Sequence, residues 1–278
     1  MNKRHFLKTV SALAGGAVLS RLTSCAPKAN GEHLKNWAGN LEYSTGNVHY
    51  PTSLSDVQEV VKNATKLRAL GSRHSFNTIA DSTALQVSSK NLNKIVSLDK
   101  VAHTVTVESG VKYGELAPYL HQNGYALPNL ASLPHISIAG ACSTATHGSG
   151  VKNGNLSTAV SAIEFVDASG NVVHLSKKDG DPFYGAVVGL GALGVLTKLT
   201  LDLVPTYQMK QVVYRNLPME ELKTRFADLQ SKGYSVSLFT NWRNKTINEV
   251  WIKSRVEEGV VTPEEGDLYG AKPATQNL

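Results

Sequence analysis

The chain has 278 residues, of which 41% are hydrophobic and 18% are charged, a composition typical of a globular protein with room for one large domain or two. The net charge is +6, but residues 1–25 contain Lys3, Arg4, Lys8 and Arg21 and no acidic residue, so the remaining 24 basic residues stand against 22 acidic ones. The rest of the chain is therefore nearly neutral, which gives no reason to expect a nucleic acid as partner.

Residues 1–25 predict an export signal. A basic start is followed by an apolar run at residues 10–19, which is too short to span a bilayer, and then by Leu22-Thr23-Ser24-Cys25. That tetrapeptide resembles the bacterial lipobox, which implies cleavage before Cys25 and lipidation of its thiol; the alternative is a plain secretory signal in which Cys25 has no role. Residues 3–8 resemble the twin-arginine motif with Lys in place of the first Arg, so the export route stays open. We expect an exported bacterial lipoprotein, held by its lipid on the periplasmic or outer face of a membrane.

Residues 26–36 are polar and predict a tether in which nothing packs. The chain has two cysteines, and if Cys25 is lipidated, Cys142 has no partner for a disulfide. No cluster of His and Cys has the spacing of metal ligands, so no metal is expected.

The patterns that follow predict alternating strands and helices. Residues 46–51 predict a short strand, residues 55–58 resemble a capping box that opens a helix, and a strand at 67–70 leads into a glycine-containing loop. Further strands are predicted at 84–88, 95–98 and 104–108, a helix at 111–121 that stops at Gly124, and an irregular stretch at 127–150. A hairpin is predicted at 159–166 and 172–175, a strand at 195–204, a helix at 217–229, and strands at 235–240 and 248–252, with a domain boundary near Pro205.

The segment Gly189-Leu190-Gly191-Ala192-Leu193-Gly194 fits the GxGxxG fingerprint of dinucleotide-binding folds. That fingerprint requires a helix that opens at its last glycine, so that the pyrophosphate meets the helix N-terminus. Residues 195–201 are instead rich in β-formers, and no acidic residue follows at the expected distance. We expect these glycines to form a tight turn that leads into a strand.

Three segments place glycines and small hydroxyl residues beside a histidine. Glycines let backbone amides approach a ligand closely, and hydroxyls donate to phosphate oxygens. A long irregular loop inside a compact domain is usually functional, so we expect the three segments to form one site. They are Gly71-Ser72-Arg73-His74-Ser75-Phe76-Asn77, Ser132-Leu133-Pro134-His135-Ile136-Ser137-Ile138-Ala139-Gly140 and Thr146-His147-Gly148-Ser149-Gly150.

Residues 68–77, 133–140 and 146–150 resemble, in this order, the vanillyl-alcohol-oxidase superfamily, and within it the alditol (xylitol, sorbitol) oxidase branch. The likeness runs from roughly residue 37 to residue 255. It implies an α+β fold: a PCMH-type FAD-binding domain of two α+β subdomains at residues 37–206, followed by the incomplete start of a substrate-binding cap domain at residues 207–278.

The resemblance also implies FAD bonded covalently through an imidazole nitrogen of His74 to the 8-methyl carbon of the flavin. A neutral imidazole is a good nucleophile near pH 7, although a loop histidine is more often a surface or hydrogen-bonding residue. The loop at Ser132 lacks the cysteine of doubly attached flavoproteins, so one covalent bond is expected. Arg73 could stabilise negative charge on the flavin or its phosphates.

Ser132, next to Ala131, is implied to face the isoalloxazine ring and to contact the substrate. His147 has a structural alternative, a hydrogen bond to a carbonyl. The FAD contacts that the resemblance implies are Ala69, Leu70, Gly71, Ser72, Arg73, His74, Ser75, Ser132, Ser137, Gly140, Thr144, Ala145, Thr146, His147, Gly148 and Val195.

The family implies an FAD-dependent oxidoreductase that oxidises the CH–OH group of a polyol, with oxygen as the expected acceptor, to an aldose and hydrogen peroxide. A sugar-1,4-lactone oxidase or dehydrogenase, similar to D-arabinono-1,4-lactone oxidase, is the alternative within the enzymes. The family's base and polyol-binding side chains lie in the substrate domain; residues 241–255 resemble its first strands, but no residue here matches those groups. Four alternatives therefore stay open: a fragment, a chain completed by another chain, a truncated flavin-binding lipoprotein without catalysis, and a solute-binding lipoprotein without flavin. The oligomeric state also stays open.

Overall fold

The computed structural model describes residue 31, residues 33–256 and residues 267–276. The predicted export signal, the lipobox with Cys25 and most of the predicted tether lie outside these residues. The described part of the chain combines helices with four sheets, in agreement with the α+β prediction. None of its helices has the length and apolarity that a membrane span requires.

The first unit is a small parallel sheet with one helix. It contains β1 (Val48–His49), α1 (Leu54–Asn63), β2 (Leu67–Leu70) and β3 (Leu85–Ser88), with strand order β1-β3-β2. Ser53 caps α1 by accepting a hydrogen bond from the N–H of Asp56, so the helix begins just before the predicted capping box. Val57 and Val61 of α1 are buried against Val87 of β3, which fixes the helix across the sheet.

The second unit is an antiparallel sheet of five strands in the order β4-β5-β9-β7-β8. Alternate residues of the central strand are buried, and its Leu199 and Leu201 pack against Leu116 and Phe183 of two covering helices. This is the largest apolar core among the described residues. The elements are β4 (Ile95–Asp99), β5 (Thr104–Glu108), α2 (Tyr113–Gln122), β6 (Tyr125–Ala126), α3 (Ile138–Ser143), β7 (Val160–Val166), β8 (Val172–Ser176), α4 (Asp181–Val187), β9 (Val195–Asp202) and β10 (Val204–Pro205), which pairs with β6.

The third unit is a four-stranded antiparallel sheet with a helix and a separate apolar core. Tyr214, Leu217, Leu229, Val236 and Val250 form the centre of that core. The elements are β11 (Gln208–Pro218), α5 (Met219–Gln230), β12 (Ser235–Phe239), β13 (Thr246–Val256) and β14 (Lys272–Pro273), in the order β12-β13-β11-β14. The predicted strand at 248–252 is the middle of β13, whereas β11 was not predicted.

Arg255 joins the third unit to the second. Its guanidinium lies 4.0 Å from the ring centre of Tyr207 and 4.3 Å from that of Tyr234, and it donates a hydrogen bond to the Tyr234 hydroxyl. The two phenols in turn donate to the backbone oxygens of Leu127 and Pro128. A stacked cation and two hydrogen bonds therefore hold β13 against the loop that follows β6.

The prediction that residues 26–36 pack against nothing is wrong for their last members. Asn36 is buried, and its backbone N–H and side chain hydrogen-bond to Leu41 and to the carbonyl of Ser75. The carbonyl of Leu34 accepts from Tyr43. The side-chain amide of Asn can hydrogen-bond to the backbone groups of a neighbouring loop. A polar segment can therefore pack here although it has no apolar pattern.

Candidate functional site

A cavity of about 450 Å³ lies where the first unit meets the second. Strands β2, β3, β7 and β9, helix α3 and the loops that follow β2 and α4 contribute to its wall. Of the predicted contacts, the wall contains Ala69, Leu70, Gly71, Ser72, Arg73, His74, Ser75, Ser132, Gly140, Thr144, Thr146, His147 and Val195. All three histidine-containing segments thus reach one space, as the sequence predicts.

The first loop is fixed to the start of α3 by two serines. The N–H of Ser72 donates to the Ser137 hydroxyl over 3.3 Å, and the N–H of Ser137 donates to the Ser72 hydroxyl over 3.1 Å. A Cβ added at Gly71 or Gly140 would lie 2.8 or 2.9 Å from the Ser137 oxygen. Only glycine fits at both places without a shift. Ser137 therefore does not line the cavity itself but holds the first loop against α3.

The backbone of the first loop has an uncommon conformation at Arg73. Arg73 has φ 63, a left-handed conformation that costs a non-glycine residue about 1–2 kcal/mol. Among the described residues, no protein group accepts a hydrogen bond from the N–H of Arg73, His74 or Ser75. Three adjacent free donors suit an anionic ligand such as a diphosphate. The Arg73 guanidinium itself donates to the carbonyl of Lys35.

His74 lines the cavity and also contacts two other aromatic rings, those of His135 and Trp37. Its Nε2 is 2.7 Å from Nε2 of His135, and the indole of Trp37 stacks on both imidazoles at centroid distances of 4.5 and 5.4 Å. Burial lowers the pKa of His74 below its ordinary value of 6.5, and the nearby His135 lowers it further. His74 is therefore neutral at pH 7, the form that acts as a nucleophile.

The third segment is held in shape by its own side chains. The ring nitrogens of His147 lie 2.5 and 2.9 Å from the carbonyl oxygens of Gly148 and Asn153. The Thr144 hydroxyl donates to the carbonyl of Gly140 over 3.0 Å and lies 3.3 Å from that of Thr146. His147 thus makes the carbonyl contacts of its structural alternative while it also lines the cavity.

Two further predicted contacts lie outside the wall. Ala145 has φ 51 and turns the chain between Thr144 and Thr146, and a Cβ at Gly148 would lie 2.5 Å from the carbonyl oxygen of Leu130. Both residues shape the third segment without lining the cavity. Ser132 does line it, and its side chain is exposed at the rim beside Ala131.

The glycines at 189–194 form a turn, as expected, and no helix follows them. Strand β9 begins at Val195, and a Cβ at Gly194, where φ is +153, would lie 2.1 Å from the carbonyl oxygen of Val166. Leu190, with φ 52, donates through its N–H to the carbonyl of Ser143. This turn closes one side of the cavity and is not a dinucleotide fingerprint, because the helix N-terminus that binds a pyrophosphate is absent from it.

Several wall residues gave no signal in the sequence. Ile163 and Phe165 belong to β7, Ala186 belongs to α4, and Ser109 follows β5. The Ser109 hydroxyl is buried and has no hydrogen-bond partner among the described residues. Alternation along β7 predicts which residues share a face, but not that one face lines a cavity.

The donor set fits FAD. Free backbone amides and hydroxyls of the wall suit a diphosphate, and the apolar side chains of Ile163, Phe165 and Val195 suit flat aromatic rings. The unpartnered Ser109 hydroxyl is a further polar group that a ligand in the cavity can satisfy.

Comparison with known proteins identifies one domain of the chain. Residues 46–176, which contain β2, the His74 loop and most of the five-stranded sheet, match the family model described as an FAD binding domain. The chain contains an FAD binding domain of this family. The wall residues contributed by the first unit, α3 and β7 therefore lie within the matched region.

Proteins similar to this chain include oxidases and dehydrogenases. An alditol oxidase from Streptomyces is 43% identical over 248 residues, which is 88% of this chain and 58% of the relative. An L-gulono-1,4-lactone dehydrogenase from Mycobacterium tuberculosis is 37% identical over 178 residues, 63% of this chain and 41% of the relative. The chain thus spans about half the length of the relatives it matches.

A solved structure of cholesterol oxidase from B. sterolicum superimposes with a TM-score of 0.71 over 80% of this chain and 47% of that chain, at 17% identity. At this identity the likeness concerns the fold alone. Together with the matched FAD binding domain, it confirms the α+β fold class that the sequence predicts.

Proposed function

We propose that this chain binds FAD in the cavity and is the flavin-binding part of an oxidoreductase that oxidises the CH–OH group of a polyol, with dioxygen as acceptor, to an aldose and hydrogen peroxide. The cavity carries the proposal, because residues of three separate segments and of β9 meet in one wall with free donors at one end. The similarity to an alditol oxidase over 88% of the chain supports a polyol as the substrate class.

Each wall residue has a role in this proposal. The amides of residues 73–75 and the Ser72 hydroxyl bind phosphate oxygens, while Ile163 and Val195 exclude water from the rings. Ser132 contacts the substrate at the exposed rim. His74, neutral and at the cavity wall, holds FAD through a covalent bond at an imidazole nitrogen. When bound, FAD supplies the two-electron chemistry of alcohol oxidation.

The test starts with the purified protein and its colour. We expect a yellow protein whose flavin stays with the chain after acid or urea denaturation. Xylitol or sorbitol added without oxygen should bleach the flavin, and air should restore the colour with one peroxide formed per turnover. A colourless protein that takes up no FAD would refute the proposal, whereas flavin that washes out on denaturation would refute only the covalent bond.

A lactone dehydrogenase is a second candidate, favoured by the 37% identity to an L-gulono-1,4-lactone dehydrogenase. Bleaching by a sugar-1,4-lactone and not by polyols would support it, and the absence of peroxide in air would identify a dehydrogenase. A yellow protein that neither class bleaches would support a flavin-binding module without turnover.

We also propose that the protein is an exported lipoprotein held to a membrane through Cys25. The support is the sequence at residues 22–25. Expressed in a bacterium, the wild type should sediment with membranes and incorporate labelled palmitate, and Cys25→Ser should do neither. Labelling of both proteins to the same extent would refute the lipid anchor.

A further inference from the structure

His135 belongs to the second histidine-containing segment, and the proposed function gives it no role. Neither His135 nor Trp37 lines the cavity, whereas His74 does. The two imidazoles meet through Nε2 atoms 2.7 Å apart, with ring centroids 4.8 Å apart. His135 therefore contacts His74 at Nε2 without lining the cavity itself.

A contact between two Nε2 atoms restricts the protons of both rings. One nitrogen must donate and the other must accept, because two lone pairs or two protons would repel at this distance. If His135 accepts, His74 carries its proton on Nε2 and presents a lone pair on Nδ1. If His135 donates, the His74 proton lies on Nδ1 and no nitrogen of His74 has a free lone pair. His74 is a nucleophile only in the first arrangement.

Trp37 and Asn36 hold both imidazole rings in this arrangement. Trp37 stacks on each imidazole with an interplanar angle of 25°, and its backbone N–H donates to the carbonyl of Arg73 over 2.8 Å. The Asn36 side chain donates to the carbonyl of Ser75. Asn36, the last residue of the predicted tether, and Trp37, which follows it, thus fix the backbone on both sides of His74.

We propose that His135 is the positioning residue that sets the His74 tautomer and accepts its Nε2 proton while Nδ1 bonds to FAD. The inference rests on the covalent bond of the proposed function. The N–C bond to the flavin 8-methyl carbon replaces one methyl C–H bond; the methyl proton and the imidazole proton leave, and the two electrons pass through the flavin to dioxygen. The sum is imidazole N–H plus flavin CH₃ plus O₂, giving the N–CH₂ adduct and H₂O₂.

The experiment follows adduct formation and not turnover. Wild type, His135→Ala and His135→Gln are prepared with little bound FAD from cells limited in riboflavin and are then incubated with FAD in air. Denatured samples are taken over time and analysed by intact mass and in-gel flavin fluorescence, while FAD bound before denaturation is measured separately. His121→Ala is the matched control, because that exposed histidine contacts Thr206, a residue outside the cavity wall.

We expect both His135 variants to bind FAD without denaturant but to form the adduct about 10²-fold more slowly, the size of effect typical of a positioned proton acceptor. Added imidazole should restore much of the rate in His135→Ala, which a purely structural role would not allow, and should not change His121→Ala. Glutamine can hold the hydrogen bond but cannot take the proton, so that variant stays slow and serves as the test if the alanine variant does not fold.

Adduct formation in either variant within twofold of the wild type would overturn the role of His135, as would a slow alanine variant that imidazole does not rescue. A yellow wild type without any adduct would overturn the covalent bond itself and this inference with it. The two failures are distinguishable, because the first leaves the wild-type adduct in place.

Discussion

Gly194 is the residue whose replacement we expect to be most costly in the cavity wall. With φ +153 it occupies a region of backbone space that is essentially restricted to glycine, which costs other residues about 1–3 kcal/mol. An alanine Cβ would also lie 2.1 Å from the carbonyl oxygen of Val166, where β7 and β9 begin to pair through Val166 and Val195. Displacing that end of the ladder loses further hydrogen bonds of about 1 kcal/mol each.

Gly194→Ala should therefore lower the free energy of unfolding by about 3 kcal/mol or more, equivalent to a fall in Tm of roughly 6–12 °C. Urea and thermal unfolding of the FAD-free protein measure it. Gly191→Ala is the first control: φ is +71 but a Cβ would meet no atom within 4 Å, so only the backbone cost of about 1–2 kcal/mol applies.

Gly185→Ala is the second control. It lies inside α4 with no atom within 4 Å of a Cβ and no positive φ, so alanine should stabilise the protein by about 0.5–1 kcal/mol. The expected order of stability is Gly185→Ala, wild type, Gly191→Ala, Gly194→Ala. If Gly194→Ala is no less stable than Gly191→Ala, the steric argument for this turn is refuted.

Two further outcomes are expected. Ser137→Ala removes the hydroxyl that accepts a hydrogen bond from the N–H of Ser72. This variant should lower the free energy of unfolding by about 1 kcal/mol and speed the loss of any non-covalent FAD on desalting. Ser132→Ala, at the exposed rim, should leave stability unchanged, and equal effects of the two substitutions would contradict the role of Ser137 in holding the loop. A hydrogen bond from His49 lowers the pKa of the Asp56 carboxyl below its ordinary value of 3.8. The hydrogen-bonded carboxylate therefore stabilises the protein above that pH, and the gain is lost as pH falls through the lowered pKa. Urea titrations should show Asp56→Asn less stable than wild type at pH 7, with the difference shrinking below pH 3.8; a difference independent of pH would contradict it.

Local sequence patterns predicted those elements whose pattern of apolar residues agrees with the contacts that the element makes in the fold. Strand β2 lies at the predicted residues 67–70 because a short apolar run ends at a glycine there. Strand β11 escaped prediction because the polar residues Gln208, Lys210 and Gln211 fall on both faces and break the alternation of apolar and polar residues. Its pairing with β13 comes from residues some forty positions later. Helix α3 escaped because it has only six residues, most of them small and four of them buried, which leaves no period to detect.

The candidate site was likewise predicted only in part from the sequence. Glycines, hydroxyls and histidines within one segment predicted that each segment binds a ligand, since those residue types act locally. The contact of His74 with His135 spans 61 positions, and Trp37, which stacks on both rings, lies just after the predicted tether. Ser109 and Phe165 have the appearance of ordinary strand residues. Their place in the wall depends on how two sheets meet, which no local pattern encodes.

The Arg255 stack has a consequence for how the third unit responds to acid. A guanidinium keeps its charge throughout the range in which proteins fold, and burial raises the pKa of the Tyr207 phenol above its ordinary value of 10.0. The contact of Arg255 with Tyr207 therefore persists as the pH falls, and it holds β13 against the loop after β6 in acid as well as at neutral pH.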